Sequence, residues 1–325
     1  MIPMKIDFDL AQKVKKLLSE AKTIAILSHI SPDGDNVGSV LAMGHALMAN
    51  CHAEVKWIKT DEIPEHLMFL SGTDDYIAEI GSSYDIAIVV DCGDLDRLGA
   101  YKNIKEHAKI VINIDHHQTN TKFGDINIVK PNASSTAELV FTLLKTIEFK
   151  ITKECAEALY TGISTDTGSF KYSNTTSYTH ALASELIDYG IDVGAINVFL
   201  YQNKSFDKMQ LFIKSVNQMS FYKDRQIAIT YVDQNMLDET KTEMNDSDGI
   251  VEFARNIRGV EVACLIKVHE ADGRIKCSFR SKNSVDVSKF CEAHNGGGHV
   301  RAAGCTFETT DKQMVIDAIM KEIVL

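Results

Sequence analysis

The chain has 325 residues, 45% of them hydrophobic, which is enough for two domains that each have a core. Its formal net charge of −11 argues against non-specific binding of long duplex nucleic acid, which requires a basic surface. No apolar run reaches the roughly 18 residues of a transmembrane helix and the first residues do not form a signal peptide, so we expect a cytoplasmic protein that does not bind membranes.

The first 190 residues predict a parallel α/β domain. Long runs of isoleucine and valine are typical of parallel strands that are covered on both faces, and they alternate with helical periodicity. We therefore predict a doubly wound parallel sheet. Glu138, three residues after Ser135, also predicts a capping box at one helix start. The strands are expected at 23–28, 53–59, 84–90 and 109–114, and the helices at 9–20, 39–50, from 135, 152–163 and 180–190.

The remaining residues predict a smaller α+β domain that follows a helical connector. The turn sequence 271–273, between two apolar runs, indicates a hairpin. The expected strands are 226–232, 260–269 and 274–281, with a helix at 285–294 and a last strand end and helix within 308–325. The linker contains a helix at 205–219. The predicted division is a domain of 1–190, a linker of 191–222 and a domain of 223–325, with the active-site cleft between the two domains.

Acidic and imidazole side chains follow four of the predicted strand and helix ends. Each of them alone is explained by a helix cap or a solvated turn, where Asp is common. Because the carboxyl ends of parallel strands meet at one edge of a sheet, we expect these residues to converge there. They are His29, Asp33 and Asp35 in the first loop, Asp91 after the third strand, Asp115, His116 and His117 after the fourth, and Asp166 near a helix end.

Such a cluster suits two-metal hydrolysis of a phosphoester. Carboxylate and imidazole ligands together favour Mn²⁺, with Mg²⁺ or Co²⁺ as substitutes. Two cations roughly 3.5–4 Å apart need one bridging carboxylate, and together they stabilise the attacking and leaving oxygens. Zinc is disfavoured by the many carboxylates and by the seven cysteines, which form no CxxC pair. Their odd number also argues against a disulfide framework.

A glycine-rich stretch in the second domain predicts an anion site. Backbone N–H groups that a run of glycines exposes can cradle a phosphate. Arg280 lies on a neighbouring predicted strand and can clamp an anion with two parallel hydrogen bonds. The alternative is a tight glycine turn with solvated side chains. The candidate substrate-binding residues are Ser278, Arg280, Gly296, Gly297, Gly298, His299 and Arg301.

Four motifs of the first domain resemble the DHH phosphoesterase family and occur in its order: HISPDGDNVGS, VVDCGD, IDHHQTN and STDTGSF. The stretches CSFRSK, VDVSKF and NGGGHVRAAG are similar to the GGGH-bearing DHH-associated domain of that family. Together these motifs cover nearly the whole chain, and as a set they are highly specific. Length and spacing most resemble bacterial members of the NrnA type, which degrade nanoRNA and dephosphorylate 3′-phosphoadenosine 5′-phosphate (pAp). Close relatives cleave cyclic di-AMP or linear pApA.

The resemblance implies a role for each matching residue. The implied metal ligands are His29 and Asp33 for one ion, Asp35, His116 and Asp166 for the other, and Asp91 as the bridge. Asp115 would support His116, and His117 would lie near the scissile phosphate; with Asp91, these are the residues expected to act in catalysis. The substrate-binding residues of the second domain would hold the far nucleotide or its phosphate. No motif residue is missing, which implies an active enzyme.

These expectations describe a Mn²⁺-dependent phosphoesterase that hydrolyses nanoRNA, pApA and pAp to nucleoside monophosphates. Its expected partners are short single-stranded RNA and dinucleotides, and a homodimer is compatible with the sequence. The alternatives are a cyclic di-AMP or linear dinucleotide phosphodiesterase, a manganese-dependent pyrophosphatase or exopolyphosphatase, a processive single-strand exonuclease of the RecJ group, and a non-catalytic nucleotide sensor. The GGGH stretch argues against the pyrophosphatase, and 325 residues leave no room for the additional module of the RecJ group.

Overall fold

A five-stranded parallel sheet forms the centre of the first part of the chain. The computed structural model describes residues 5–77, 81 and 83–325. The strand order is β2-β1-β3-β4-β5 and every neighbouring pair is parallel, so the carboxyl ends share one edge. The strands are β1 (Thr23–Leu27), β2 (Glu54–Trp57), β3 (Tyr84–Val90), β4 (Ala108–Asp115) and β5 (Ile126–Val129). The predicted parallel α/β fold is thus confirmed, and β5 is a strand that the sequence analysis missed.

Helices pack on both faces of this sheet. They are α1 (Phe8–Glu20), α2 (Gly34–Asn50), α3 (Ile104–His107), α4 (Thr136–Thr146), α5 (Lys153–Asp166), α6 (Ser177–Ile187) and α7 (Val193–Asn197), which continues as a π-helical turn at Val198–Gln202. On one face, α1, α2, α4, α5 and α6 share a large apolar core with sheet residues such as Ile88. On the other face, Val89 and Val111 pack against Ile104 of α3 and against Leu98.

Helices α2 and α5 approach each other closely because glycines line their contact. A Cβ atom at Gly38 would lie 2.5 Å from the carbonyl oxygen of Ala158. That distance is too short for any side chain, so the position requires glycine. A Cβ atom at Gly162 would lie 2.8 Å from the Cβ of Ala137 in α4 and 3.0 Å from a carboxylate oxygen of Asp35. This close packing brings the first turn of α2 next to α4 and α5 at the carboxyl edge of the sheet.

A six-stranded mixed sheet forms the second part of the chain. Its order is β10-β11-β9-β8-β7-β6, and β7–β8 is the parallel pair. The strands are β6 (Ser220–Tyr222), β7 (Ile227–Val232), β8 (Val262–His269), β9 (Arg274–Ser281), β10 (Gly297–His299) and β11 (Ala302–Phe307). The helices are α8 (Phe206–Asn217), α9 (Gln234–Thr240), α10 (Ile250–Asn256), α11 (Val287–Glu292) and α12 (Lys312–Glu322). One face packs on α11 and α12, and the other packs on α8, α9 and α10.

Two local predictions differ from the structure. Ser135 is the N-cap of α4 and accepts from the backbone N–H of Glu138, but the Glu138 carboxylate accepts from the hydroxyls of Ser134 and Thr179 instead of closing a capping box. The glycine-rich stretch is not an open loop, because residues 297–299 pair with β11 as an antiparallel hairpin.

The chain divides into two compact units, Met1–Asn203 and Lys204–Leu325. The division falls inside the segment that we interpreted as a linker, and that segment also supplies α8 and β6 to the second unit. All seven cysteines are free thiols; Cys51 is half-buried and the other six are buried. Among the described residues, no helix is both long enough and apolar enough to cross a bilayer.

Candidate metal centre

Three strands deliver chemically active side chains to the carboxyl edge of the parallel sheet. His29 follows β1 by two residues, Asp91 follows β3 directly, and Asp115 is the last residue of β4 with His116 and His117 behind it. Because these strands are adjacent and parallel, their ends lie side by side. The predicted convergence at this edge therefore has a direct structural cause.

The first group consists of His29, Asp33 and Asp91, whose potential ligand atoms all lie within 4.8 Å of one another. His29 Nε2 is 3.4 Å from Asp91 Oδ2. His29 Nδ1 is 2.7 Å from the carbonyl oxygen of Ile30, which can only accept, so this contact is a hydrogen bond when Nδ1 carries the proton. Nε2 then keeps its lone pair for a metal ion. Asp33 is exposed and is also the N-cap of α2, where Oδ1 accepts from the N–H of Asn36.

The second group centres on His116 and contains Asp35 and Asp166. His116 Nε2 lies 3.9 Å from Asp35 Oδ2, 3.8 Å from Asp91 Oδ1 and 3.7 Å from Asp166 Oδ2. Its Nδ1 donates to the carbonyl oxygen of Ala133 at 3.4 Å. The carboxylate distances are too long for hydrogen bonds. They suit ligand atoms that share one ion about 2.1 Å from each, because two such atoms then lie about 3–4 Å apart.

The N-terminus of α4 holds two of these carboxylates. The backbone N–H groups of Thr136 and Ala137 donate to the two oxygens of Asp35, at 2.6 and 2.8 Å, and Thr136 Oγ1 donates to Asp91 Oδ1 at 2.9 Å. The positive end of the helix dipole adds to this stabilisation of negative charge. The sequence analysis missed both residues. Ser135 could have indicated them. It was predicted as a helix start, and the backbone N–H groups that follow a helix start at the sheet edge point towards that edge.

Charge in the cluster is unbalanced without a cation. Burial first, and then the charges of Asp91 and Asp166, raise the pKa of Asp35 well above its usual range. Burial and nearby carboxylates also raise the pKa of Asp166 to about 7, against the opposing effect of His116. Burial likewise acts to raise the pKa of Asp91, but His29, His116 and His117 outweigh it and the pKa is lowered. Carboxylates that repel one another around imidazole nitrogens are a donor set that a hard divalent cation fits.

His117 and Asp115 form a hydrogen-bonded pair beside the two groups. Asp115 is fully buried; its Oδ1 lies 2.7 Å from His117 Nδ1, and its Oδ2 accepts from Asn120 at 2.6 Å. Burial lowers the pKa of His117, but Asp115 and Asp91 outweigh it and raise the pKa to about 9. The expectation that Asp115 supports the ring of His116 is therefore wrong. The Asp115 carboxylate contacts His117, and the carbonyl oxygen of Ala133 accepts from His116.

Arg280 of the second unit is already engaged with other groups. Its Nε donates to Glu252 Oε1 and its Nη1 donates to the carbonyl oxygen of Phe279, both at 2.9 Å. With Ser278, it lines a polar cavity of about 240 Å³ that Glu252 and Lys267 also line. The guanidinium thus lies in a cavity beside a carboxylate that competes with any bound anion.

The other second-unit candidates lie on or next to the hairpin. His299 pairs with Ala302, and Ala302 pairs with Arg280, so His299 and Arg280 lie on the same face of the sheet. Arg301 donates to the carbonyl oxygen of Val285 at 2.7 Å. A Cβ atom at Gly296 would lie 2.1 Å from the carbonyl oxygen of Gly304. Gly296 therefore has a packing role. Gly298 has one as well, because its φ is +141° and a Cβ atom would lie 2.6 Å from a β11 carbonyl oxygen.

Together, the parallel sheet and the His/Asp cluster at its carboxyl edge define an α/β protein with a candidate metal centre, followed by a second α+β unit. Comparison with protein-family models identifies the family of both parts. Residues 23–163 match the DHH family N-terminal domain and residues 224–324 match the DHHA1 domain. The chain belongs to the DHH family of phosphoesterases.

Full-length relatives share this organisation. A Thermus thermophilus protein, the bifunctional oligoribonuclease and PAP phosphatase NrnA, is 29% identical over 92% of this chain and 89% of its own length. The crystal structure of an exopolyphosphatase-related protein from Bacteroides fragilis is 30% identical, with a TM-score of 0.92 and coverage of 98% of both chains. A structure of the exonuclease RecJ bound to manganese shares the fold alone, with 12% identity, a TM-score of 0.51, and coverage of 98% of this chain and 94% of its own.

Proposed function

We propose that this chain is a metal-dependent phosphoesterase that hydrolyses short oligoribonucleotides, pApA and pAp to nucleoside monophosphates. The observation that carries the proposal is the position of His116 Nε2, which faces the carboxylates of Asp35, Asp91 and Asp166 at 3.7–3.9 Å. Asp91 belongs to the first group with His29 and Asp33, and its ligand atoms also lie within 4.8 Å of those of His116 and His117. One shared carboxylate between two ligand groups is the arrangement that two-metal hydrolysis requires. The name of the Thermus relative supports the substrate class.

The two ligand groups would hold two divalent cations, and we propose Mn²⁺, with Mg²⁺ or Co²⁺ as substitutes. When bound, such a pair of ions activates water and neutralises charge on the transferring phosphoryl group. The mixed oxygen and imidazole donors suit Mn²⁺, and the fold is shared with RecJ, whose structure contains manganese.

The chain's own groups would orient the ligands and the substrate. Hydrogen bonds from α4 fix Asp35 and Asp91, so their oxygens need little reorganisation when substrate binds. The contact with Asp115 fixes the ring of His117, which we assign to the scissile phosphate. Hydrolysis adds water to phosphorus and breaks the bond from phosphorus to the nucleoside oxygen.

In the second unit, we assign recognition of the far nucleotide to Arg280, Ser278, His299 and Arg301, with Gly296, Gly297 and Gly298 as their backbone support. The net charge of −11 disfavours long polyanions, which supports a short oligonucleotide as the substrate.

A second candidate function is hydrolysis of a phosphoanhydride. The Bacteroides fragilis relative, which is described as exopolyphosphatase-related, favours it. Polyphosphate offers the metals the same phosphoryl group but lacks a nucleoside.

A substrate panel distinguishes these functions. The purified chain is assayed with Mn²⁺ or Mg²⁺ on pApA, pAp, cyclic di-AMP, pyrophosphate and polyphosphate, together with the variant Asp91→Asn. We expect pApA and pAp to be hydrolysed fastest and Asp91→Asn to lose at least about 1,000-fold in kcat, since the bridging charge is removed. Asp96→Asn, which removes an exposed carboxylate from a nearby turn, serves as the control. Turnover of pApA by Asp91→Asn at saturating Mn²⁺ would refute the bridging role, and faster hydrolysis of polyphosphate would favour the second function.

A further inference from the structure

Arg97 is an exposed cation beside the metal centre that none of the family motifs described above includes. It lies in the 3-10 turn Asp96–Tyr101, which follows β3 and Asp91. Its carbonyl oxygen accepts from the N–H of Ile30 at 2.8 Å, and its N–H donates to Asp94 Oδ1 at 3.1 Å. A Cβ atom at Gly99, where φ is +59°, would lie 2.7 Å from the Ile30 side chain. The turn is therefore attached to the loop that carries His29.

The guanidinium of Arg97 contacts His29 but cannot donate a hydrogen bond to it when His29 binds a metal ion through Nε2. Arg97 Nη2 lies 3.3 Å from His29 Nδ1. That nitrogen is protonated if Nε2 binds a metal, because Nδ1 must then donate to the carbonyl oxygen of Ile30 at 2.7 Å. Two N–H donors consequently face each other, and the contact satisfies neither of them.

Arg97 also makes no ion pair with any residue that the structure describes, although acidic side chains surround the site. An arginine has five N–H donors in a planar fork, and these need acceptors. The exposed position leaves them accessible to a ligand that reaches the metal centre.

We propose that Arg97 binds a non-bridging oxygen of the phosphoryl group that is hydrolysed. The inference rests on the proposed function, because it requires that phosphate be bound at the His29 side of the cluster. The planar donors match phosphate geometry, and the positive charge offsets negative charge that builds up on the phosphoryl oxygens during reaction. Arg97 then acts on the reacting group itself, with the His29 loop holding the turn in place.

The alternative is a positioning role, in which Arg97 supports the ring of His29. The two roles differ in their effect on metal binding. A support for His29 would change the affinity for Mn²⁺. A phosphate ligand would leave the Mn²⁺ affinity unchanged and would affect phosphate binding and turnover.

The test compares Arg97→Ala and Arg97→Lys with Lys102→Ala, which removes an exposed cation next to the same turn. Calorimetry measures Mn²⁺ binding and then the binding of inorganic phosphate to the Mn²⁺-loaded protein, and pApA hydrolysis is measured in parallel. We expect Arg97→Ala to bind Mn²⁺ as the parent does, to weaken phosphate binding, and to lose roughly 10- to 100-fold in kcat/KM, the range for a lost charge-assisted hydrogen bond. Added guanidinium ion should restore part of the lost turnover, and Lys102→Ala should match the parent.

Several outcomes would overturn the proposal. One is a loss of Mn²⁺ affinity in Arg97→Ala that accounts for the loss of activity, which would assign Arg97 to the support of His29. Another is that phosphate binding and kcat/KM of Arg97→Ala stay within about threefold of the parent. The loss of a charge-assisted hydrogen bond should lower them at least about tenfold. If the parent itself does not hydrolyse pApA with any metal, the proposed function fails, whereas phosphate binding to the Mn²⁺-loaded parent and variants still tests Arg97.

Discussion

Thr136 and Asp91 are joined by a buried hydrogen bond of 2.9 Å, from Thr136 Oγ1 to Asp91 Oδ1. The backbone N–H of the same threonine donates to Asp35 at 2.6 Å. One residue at the start of α4 therefore fixes a carboxylate from each of two other elements. The relative placement of the two ligand groups depends on this threonine.

Removal of the Thr136 hydroxyl should weaken the metal centre. The change Thr136→Val keeps the size of the side chain and the backbone bond to Asp35, but it leaves Asp91 without its donor. We expect Mn²⁺ affinity or kcat/KM to fall roughly 10- to 100-fold, as for other residues that orient metal ligands. Thr136→Ser keeps the hydroxyl, so its Mn²⁺ affinity and its kcat/KM should stay within about threefold of the parent. Equal effects of the two substitutions, in metal titrations, would show that the methyl group matters and not the hydroxyl.

Metal binding should stabilise the fold through Asp35. At a metal concentration 100 times the dissociation constant, binding to the native state adds about 2.7 kcal/mol to the free energy of unfolding. For a unit of this size, that corresponds to a rise of about 5–10 °C in Tm. Asp35→Asn removes a ligand charge but also relieves repulsion from Asp91 and Asp166. The amide also places an N–H₂ donor against one of the two α4 N–H groups that Asp35 accepts, which opposes that gain. We therefore expect Mn²⁺ to raise the Tm of the variant much less than that of the parent. Differential scanning calorimetry with and without Mn²⁺ measures both effects, and an equal rise in Tm would argue against metal binding by Asp35.

Arg280 and Glu252 should have opposite effects on substrate affinity. Arg280→Ala removes the cation from its cavity, so we expect the KM for pApA to rise roughly tenfold with little change in kcat. Glu252→Gln removes the carboxylate that occupies Arg280 Nε and should lower KM, because the guanidinium is released for phosphate. Arg258→Ala, an exposed arginine after the same helix α10, is the matched control. If both cavity variants leave KM unchanged in steady-state assays, the cavity is not part of the substrate site.

Asp85 should stabilise the fold without contributing to activity. It lies near the start of β3, at the opposite edge of the sheet from the metal centre, where it accepts from Lys109 Nζ at 2.7 Å and from the N–H of Lys22 at 2.8 Å. The bond from Lys109 and then that from Lys22 lower the pKa of Asp85 to about 2. Its contribution is present above the ordinary pKa of about 4 and is lost as the pH falls towards 2.

The corresponding experiment is urea unfolding of Asp85→Asn at several pH values. The variant should be less stable than the parent at pH 7, and the difference should shrink between about pH 4 and pH 2. Its kcat/KM for pApA should equal that of the parent. A stability difference that persists at pH 2 would assign the effect to the hydrogen bonds and not to the charge.

The parallel sheet and the site edge could be predicted because they depend on local pattern. Buried parallel strands need continuous apolar runs, and residues directly after such runs must lie at one edge, as Asp91 and His116 do. Strand β5 was missed because it has only four residues and Asn127 interrupts its apolar run.

Contacts between distant segments could not be predicted in the same way. The bond from Thr136 to Asp91 joins residues 45 positions apart, and no periodicity in the sequence encodes which helix start meets which strand end. The glycine run was ambiguous for another reason. Glycine permits both an open anion-binding loop and a close approach of two backbones, and the structure shows the second at Gly296.

The exposure of the cysteines allows site-selective chemical labelling. Cys51 is half-buried, whereas the other six thiols are buried, so a maleimide reagent should modify Cys51 selectively in the native chain without prior mutagenesis. Because Cys51 follows the 17-residue helix α2, which starts at the metal centre, a fluorophore there would lie about 25 Å from the site. That separation lets an energy-transfer experiment with a labelled dinucleotide report binding while the chemistry itself stays unperturbed.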